Sequence, residues 1–221
     1  MFKKCAPIAM VVAVASTAIA QPVAKQSDLG AYAIPFASES NRIELEVVNT
    51  TSGPLKDVSV HLSAAPTWLA FDQTTAEIGA LNPGEPKTTL FTFDLDEKAP
   101  VGKVSDLTFE VSSAAGQLES KTIKIESEAP TELTLRGNYP NPFNPTTRIA
   151  YAIPKDGNVR IEVFNSIGQR VARIVDDVQK AGYQEGSWNA ATFPSGVYFY
   201  SVELNVEGKR RAKLGKMVLV K

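Results

Sequence analysis

The sequence predicts an all-β protein built from two tandem antiparallel β-sandwiches. From residue 41 onward, apolar residues recur at every second position in short runs, which is the period of half-buried strands. Clusters of proline and glycine separate these runs, because proline presets φ and glycine accepts a positive φ. No stretch between the clusters has a helical period. The sequence therefore favours sheets with one solvent-exposed face and one buried face.

The first twenty residues have the organisation of a cleavable signal peptide. Lysines at 3–4 are followed by an apolar run over 7–15 and by a small-residue ending that includes Ala18 and Ala20. The run is shorter than the roughly 20 residues that a membrane-spanning helix needs, which argues against the alternative of a retained anchor. We predict export, with signal peptidase cutting between Ala20 and Gln21.

The mature chain would carry neither cysteine nor a strong charge. Removal of residues 1–20 takes away Cys5 and two lysines, which leaves 21 basic and 24 acidic residues and a net charge of −3. Without cysteine, the mature chain can form no disulfide and no cysteine zinc site. The weak charge lacks the basic footprint of a nucleic-acid binder, so we expect no nucleic-acid partner.

Residues 29–127 are predicted to form one sandwich. Its inward-facing residues are Ile43, Leu45, Val47, Val58, Val60, Leu62, Phe91, Phe93, Leu95, Leu107, Phe109, Val111, Ile123 and Ile125. Turn residues at 50–54, 82–85, 99–102 and 115–116 separate the strands. About seven short strands in ~100 residues are typical of an immunoglobulin-like domain. In its alternating strands and proline–glycine turns, this half of the chain resembles the immunoglobulin-like modules appended to bacterial secreted enzymes.

A linker separates this cargo domain from a second one. The stretch 125–132 is acidic, contains a proline and has no apolar pair, which predicts a solvated connection. We place the linker at 128–134 and the second domain at 135–221. Alternating runs continue there through Ile149, Tyr151, Ile153, Val159, Ile161, Val163 and the stretch 197–204. The last strand, at 216–221, is expected to be paired, because an unpaired terminal strand would fray.

The segment 137–147, GNYPNPFNPTT, is rigid and almost free of ionisable groups. Each of its prolines fixes its own φ and pushes the preceding residue toward extended conformations, which excludes a helix. The asparagine side chains can close turns on the backbone, and Tyr139 and Phe143 are expected to anchor the segment to a sheet face. From the residues alone, the segment is a chemically inert, stiff entry arm.

This segment and several later motifs resemble the C-terminal sorting domain of type IX secretion. The residues that carry the resemblance are Gly137, Asn138, Tyr139, Pro140, Asn141, Pro142, Phe143, Asn144, Pro145, Thr146, Gly168, Trp188, Gly196, Val197, Tyr198, Lys216 and Lys221. They occur in the family's order over residues 135–221. The resemblance implies an immunoglobulin-like sandwich that acts as an export signal.

The resemblance also implies a route and a set of partners. The signal peptide would carry the chain into the periplasm, and an outer-membrane translocon would then read the C-terminal domain. A sortase-like peptidase would cut near residues 126–132 while the cargo is released or attached to surface lipopolysaccharide. The expected location is the cell surface or the medium. We further hypothesise that the translocon adds a strand to an exposed edge of the domain, with the terminal strand bracketed by Lys216 and Lys221 as a cue.

Flagellar hook-capping proteins provide an alternative family. They contain a related immunoglobulin-like domain with the same proline–asparagine opening. The cleavable signal peptide and the lack of a following hook-assembly region argue against a hook-type assembly protein here.

The sequence offers no convergent catalytic set, and we predict a protein that is not an enzyme and has no cofactor. His61 is the only histidine, which excludes a site with two histidine ligands. Strand alternation places it on a wet face. Asp94, Asp96 and Glu97 could offer oxygens to calcium, but they lack the glycine-bearing spacing of a calcium loop. We expect a solvated strand end and no metal.

The two tryptophans support an alternative from another class. An exposed Trp68 or Trp188 on a sandwich could stack against a sugar, which would make the chain a carbohydrate-binding or adhesive surface module with glycan partners. Burial in the core is the expected state of an aromatic side chain in so small a sandwich.

Overall fold

The computed structural model describes residues 8–15 and 30–221. The chain divides into two compact units, Met1–Glu128 and Ala129–Lys221. All regular elements of the described residues are β-strands, so the predicted all-β class is confirmed. A helix with the length and apolarity to cross a membrane is absent from these residues.

The described part of the first unit contains nine strands in two sheets. They are β1 (Ile8–Ala15), β2 (Tyr32–Ile34), β3 (Asn41–Asn49), β4 (Leu55–Ala64), β5 (Leu69–Phe71), β6 (Thr75–Leu81), β7 (Pro86–Leu95), β8 (Val104–Ser113) and β9 (Gly116–Ser127). One sheet has the order β1-β3-β7-β5 and the other β2-β9-β8-β4-β6. Only β2 and β9 pair in parallel among these neighbours. Two packed sheets of this kind form an immunoglobulin-like sandwich.

The core of the first unit follows the alternation in the sequence. All fourteen residues predicted to face inward are buried, and Ile43, Val60 and Phe109 are 0% exposed. Phe91 of β7 and Phe109 of β8 come from opposite sheets, and their ring centroids lie 5.0 Å apart. The prediction of this core is confirmed.

The N-terminal strand occupies one edge of the first sheet. β1 pairs in antiparallel fashion with β3 along its whole length. Its Met10 side chain is 7% exposed and belongs to the first core. These residues are the centre of the predicted signal peptide, while Ala18, Ala20 and Gln21 lie outside the described residues. The signal peptide stays a prediction.

The connection between the units begins directly after β9. β9 continues to Ser127, and Ile125 and Ser127 are both 0% exposed. Ile125 occupies the inward-facing position of β9 that the alternation predicts, and β9 ends immediately before residue 128, where the predicted linker begins. The residues between the last strand of one unit and the first of the next are 128–133, and of these Leu133 is buried in the second core.

The second unit contains seven strands in two sheets. They are β10 (Thr134–Tyr139), β11 (Thr146–Ile153), β12 (Gly157–Phe164), β13 (Arg170–Gln179), β14 (Gly182–Asn189), β15 (Gly196–Val206) and β16 (Lys209–Leu219). The sheet orders are β10-β11-β14 and β13-β12-β15-β16. β16 pairs with β15 from Lys209 to Leu219, which confirms the prediction of a paired terminal strand.

Both sheets contribute to a single core in the second unit. Ile149 and Tyr151 of β11 meet Ile161 of β12 and Met217 of β16, and each of these residues is 0% exposed. Because the apolar residues alternate along each strand, every strand presents one face to this core. The last strand therefore has a side-chain face in the core and a main-chain edge that another segment can cover.

Candidate recognition site

Residues 140–145, which we call the clamp segment, join β10 to β11 and lie along the outer edge of β16. The amide nitrogen of Phe143 donates to the carbonyl oxygen of Val218 at 2.9 Å, and the amide of Val220 donates to the carbonyl of Phe143 at 3.0 Å. These two bonds form a parallel bridge between Phe143 and Leu219. The main chain of the clamp segment thus acts as a very short strand beside β16.

The Asn141 side chain extends this contact. Its Oδ1 accepts a hydrogen bond from the amide of Val218 at 3.0 Å, and its Nδ2 donates to the carbonyl of Lys216 at 3.3 Å. An amide side chain can donate and accept at once, and it thereby imitates a backbone pairing unit. The main-chain edge of β16 from 216 to 220 is consequently already hydrogen-bonded within the chain.

Phe143 anchors the clamp segment to the core. Its side chain is 2% exposed, and its ring centroid lies 5.6 Å from that of Trp188. Trp188 in turn contacts Phe193 at 5.5 Å and Tyr198 at 5.2 Å. The Tyr198 hydroxyl donates to the carbonyl of Pro194 at 2.8 Å, which satisfies its polar group. Tilted aromatic contacts of this kind stabilise the core beyond the effect of the buried apolar area.

A small polar cluster fixes the start of the clamp segment. Asn138 Nδ2 donates to Thr147 Oγ1 at 3.0 Å and to the carbonyl of Pro140 at 3.2 Å. The Thr147 hydroxyl donates to the same carbonyl at 2.8 Å, and Thr147 is 1% exposed. The Tyr139–Pro140 and Asn141–Pro142 peptide bonds are cis. Buried polar atoms need partners, and this cluster supplies them.

The last residue is fixed as well. The Lys221 amide donates to Ser195 Oγ at 3.0 Å, and its Nζ donates to the carbonyl of Ala191 at 2.7 Å. The loop between β14 and β15 therefore holds the end of the chain.

Gly168 serves a different hairpin, the one between β12 and β13. Asn165 Oδ1 accepts hydrogen bonds from the amides of Ile167 at 3.2 Å and Gln169 at 2.9 Å. Gly168 has φ +81° in this turn, a conformation that favours glycine. Its place in the sequence motif is explained by the turn that it makes.

The structure brings only some of the sequence-predicted residues together. Asn138, Asn141, Phe143, Trp188, Tyr198, Lys216 and Lys221 take part in the contacts around the end of β16, as described above. Tyr139 was expected to anchor the segment, but this was wrong, because its side chain is 78% exposed. Asn144, Thr146 and Gly196 are also exposed, and Val197 is 40% exposed on the outer face of β15. The prediction from sequence did not include the main-chain groups of Val218 and Val220, because the pattern of side chains does not indicate which main-chain groups will pair.

Five ionisable groups of this unit have perturbed pKa values, and two of them, Tyr151 and Glu162, illustrate the causes. Burial raises the pKa of Tyr151 to about 12, although its hydroxyl donates to Gln179 Oε1 at 2.5 Å, which acts in the other direction. Burial also acts to raise the pKa of Glu162, but hydrogen bonds from Arg170 at 2.8 Å and Arg173 at 3.0 Å outweigh it and hold the pKa below its usual value. Both groups belong to the sandwich walls and not to the clamp contacts.

The candidate ligands in the first unit serve its fold. His61 is exposed as predicted, and its Nδ1 lies 3.0 Å from Thr75 Oγ1. Asp94 Oδ1 accepts from the amide of Ser40 at 2.7 Å, and Asp96 Oδ1 accepts from the amide of Lys98 at 2.7 Å. Within 8–15 and 30–221, no three His, Cys, Asp or Glu side chains are grouped as a metal site.

The tryptophans have different environments. Trp188 is 3% exposed, which confirms the expected burial in the core. Trp68 is half-buried against the first core and lines a shallow cavity of about 460 Å³.

Residues 138–216 match the family described as the secretion system C-terminal sorting domain. This match confirms the resemblance for that part of the chain. The matched range of the sorting domain includes the clamp segment and most of β16. Such a domain indicates a cargo protein that type IX secretion exports from the cell, and it implies an interaction with that secretion machinery. No curated protein matches the sequence.

Three solved structures have limited similarity to the whole chain. Dimeric latent PorU from Porphyromonas gingivalis is 13% identical with a TM-score of 0.36, and the match covers 97% of this chain and 20% of that one. The CupB2 chaperone from Pseudomonas aeruginosa is 12% identical with a TM-score of 0.28, covering 88% and 99%. Red sea bream transglutaminase is 9% identical with a TM-score of 0.34, covering 99% and 32%. The chain thus spans only a fifth of the PorU chain, and these TM-scores carry no argument about function.

Proposed function

We propose that the chain is a non-enzymatic cargo protein that crosses two membranes in two steps. The signal peptide at 1–20 directs it to the periplasm, where signal peptidase cuts after Ala20. An outer-membrane translocon then recognises the sorting domain, and the cargo domain is displayed at the cell surface or released. The observation that carries the proposal is a terminal strand whose edge is covered by the clamp segment, within a domain that matches the sorting family.

The covered edge of β16 favours recognition of the folded surface of the sorting domain over strand addition by the translocon. The strand addition hypothesised at the terminal strand would need free main-chain groups, but those of Lys216, Val218 and Val220 are already hydrogen-bonded. Tyr139 projects into solvent next to the clamp segment and contributes little to packing. Exposed tyrosine is a common anchor at protein interfaces, because its ring is large and its hydroxyl is polar. We assign Tyr139 as a contact to the translocon.

The position of the proposed sortase-like cut can be narrowed. Glu126 lies in β9 and is therefore held by main-chain pairing, whereas Glu128, Thr131 and Glu132 are exposed and lie outside any strand. A peptidase needs a locally accessible, extended chain. We place the cut within 128–132, after which the cargo is released or attached to surface lipopolysaccharide.

Fractionation of cells that express tagged variants tests the proposal. A chain lacking residues 216–221 should accumulate in the periplasm, whereas the intact chain reaches the surface or the medium. Because this deletion also removes core residues, Tyr139→Ala provides the sharper test, with Asn144→Ala as an exposed control in the same segment. Tyr139→Ala should reduce export while its urea unfolding curve stays that of the parent chain. Export of the truncated chain at the normal level would refute the proposal.

The extracellular form gives a second readout. Mass spectrometry of its C-terminus should show the loss of everything beyond 128–132. If the chain is instead recovered with flagellar hooks, the hook-type assembly alternative is supported.

A second candidate function is glycan binding by the cargo domain. Trp68 lines the shallow cavity together with Lys103, Ser105 and Asp106, so an aromatic ring and polar groups occur side by side. Sugars are bound by this combination of stacking and hydrogen bonding. In a Trp188→Phe chain, acrylamide should quench the fluorescence of Trp68, and glycan-array binding should be lost in Trp68→Ala. An array without signal for the intact chain would exclude this function.

A further inference from the structure

A basic pocket lies at one end of the sorting domain, between the β15–β16 hairpin and the turn that joins β11 to β12. Its volume is about 240 Å³. Pro154, Leu204 and Val206 supply its apolar lining, and Lys155, Lys209 and Arg211 supply three cations. This pocket has no part in the clamp contacts, and Thr131, from the segment in which we place the sortase cut, lies at its border.

The strand register places two of these cations, both exposed, on the face of β16 that is turned toward the core farther along the strand. Arg211 lies opposite Leu204 and Lys209 opposite Val206 in the β15–β16 pairing. Side chains two residues apart point to the same face, so Arg211 and Lys209 share the face of Met217, which is 0% exposed. The inner face of β16 thus changes from apolar to cationic where the core ends.

These cations lack internal counterions. Arg210 on the outer face reaches Glu203 at 4.0 Å, whereas Lys155, Lys209 and Arg211 form no ion pair with any described residue. Next to Lys155, Asp156 is already bound by Lys180 at 2.7 Å. Glu207 is the one carboxylate that lines the pocket, which leaves an excess of two positive charges.

We propose that this basic pocket binds a phosphate monoester. A dianionic phosphate matches the excess of two charges, and its oxygens suit the fork of an arginine and the point charges of two lysines. The apolar lining accommodates the carbon stem to which the phosphate is attached. The inference does not depend on the export route, because it rests on the charges and the register of this hairpin alone.

Titration of the full chain with glycerol phosphate tests the proposal. The methyl NMR signals of Leu204 and Val206 should shift in a saturable manner at low ionic strength, and acetate should produce a much smaller effect. Arg211→Gln and Lys209→Gln should each weaken binding about fivefold or more, because each removes a charge-assisted contact. Lys213→Gln is the matched control, since it removes the same charge from the same face of β16 without lining the pocket; it should weaken binding less than about twofold through screened, longer-range effects.

Vesicle flotation distinguishes the source of the phosphate. Binding to vesicles that contain phosphatidic acid, but not to pure phosphatidylcholine, would assign the pocket to a lipid headgroup, whereas binding of glycerol phosphate alone would assign it to a soluble ligand. The proposal is overturned if neither probe binds in a saturable manner, or if Arg211→Gln and Lys209→Gln bind as tightly as Lys213→Gln.

Discussion

Phe143 and Tyr139 belong to the same short stretch of chain but have opposite environments. Phe143 is 2% exposed and contacts Trp188, whereas Tyr139 is 78% exposed. We expect Phe143→Ala to lower the free energy of unfolding of the sorting domain by about 3 kcal/mol, because it leaves a cavity in a packed core. Tyr139→Ala should change it by less than about 0.5 kcal/mol. Urea unfolding monitored by Trp188 fluorescence measures both, and equal effects would contradict the anchoring role of Phe143.

Asn141 and Asn144 form a second matched pair. Both side chains are exposed, but that of Asn141 accepts from the amide of Val218 and donates to the carbonyl of Lys216, whereas that of Asn144 forms no hydrogen bond with the described residues. Asn141→Ala should lower the free energy of unfolding of the sorting domain by about 1 kcal/mol, because it leaves the Val218 amide without this acceptor. Hydrogen exchange of that amide should accelerate in Asn141→Ala and stay unchanged in Asn144→Ala. Unchanged protection in both variants would show that Asn141 does not hold the edge of β16.

Residue-level roles in the proline–asparagine segment could be predicted only in part. Its extended form and its aromatic anchoring followed from proline geometry and from the two rings. The choice between Tyr139 and Phe143 depends on hydrogen bonds to Val218 and Val220, which are distant in sequence. The local sequence pattern contains no information about such a partner. It therefore predicts that both aromatic side chains anchor the segment.

At the scale of elements, the approach of β15 to β16 requires a glycine. A Cβ on Gly215 would clash with the ring of Tyr200, a residue that is 1% exposed and so has little room to move. Gly215→Ala should therefore destabilise the sorting domain by roughly 1–3 kcal/mol, the usual cost of overpacking. Gly53→Ala is the control, because its Cβ would meet no atom within 4 Å. Thermal unfolding distinguishes the two, and a stable Gly215→Ala variant would mean that the hairpin can separate at little cost.

The β12–β13 pair predicts an acid-dependent contribution to stability. Glu162 accepts hydrogen bonds from Arg170 and Arg173, which hold its pKa below the ordinary value of 4.5 despite the opposing effect of burial. A carboxyl group with a lowered pKa stabilises the fold above its unfolded pKa, and this contribution is lost as the pH falls through the folded pKa. Glu162→Gln should therefore flatten the decline of the urea midpoint below pH 4.5.

A suitable control for this measurement is Glu203→Gln. Glu203 reaches Arg210 only at 4.0 Å on an exposed face, so its removal should leave the acid dependence nearly unchanged. If Glu162→Gln retains the full decline of the parent chain, the arginine pair contributes nothing to acid stability.

Element boundaries and pairings show where sequence reasoning ends. Alternation identified the inward faces of β3, β7 and β8 correctly, because burial on one face of a strand imposes a period of two. The sequence pattern does not predict that β2 pairs in parallel with β9 or that β1 lies at the edge of its sheet. Pairing partners are set by tertiary contacts, while the pattern along one strand records only its own two faces.

At the scale of the molecule, the two-sandwich organisation followed from an acidic interruption between two sets of alternating runs. The first three residues of the acidic stretch, 125–127, belong to β9, and the chain leaves the strand after Ser127. Strand ends are difficult to predict because the last residues of a strand can be polar and still be held by main-chain hydrogen bonds. The clamp around the end of β16 could not be derived at all, since it joins residues from opposite ends of the domain.

Each unit has a core made of its own residues; Trp188 belongs to the second core, and Trp68 packs against the first. A Trp188→Phe chain therefore reports unfolding of the first unit through Trp68, and a Trp68→Phe chain reports the second through Trp188. In these backgrounds, Phe109→Ala should lower the urea midpoint of the Trp68 signal alone, because Phe109 is 0% exposed in the first core. Phe143→Ala should lower that of the Trp188 signal alone. If either substitution displaces both curves equally, the two sandwiches unfold as one cooperative unit, which would contradict their independence.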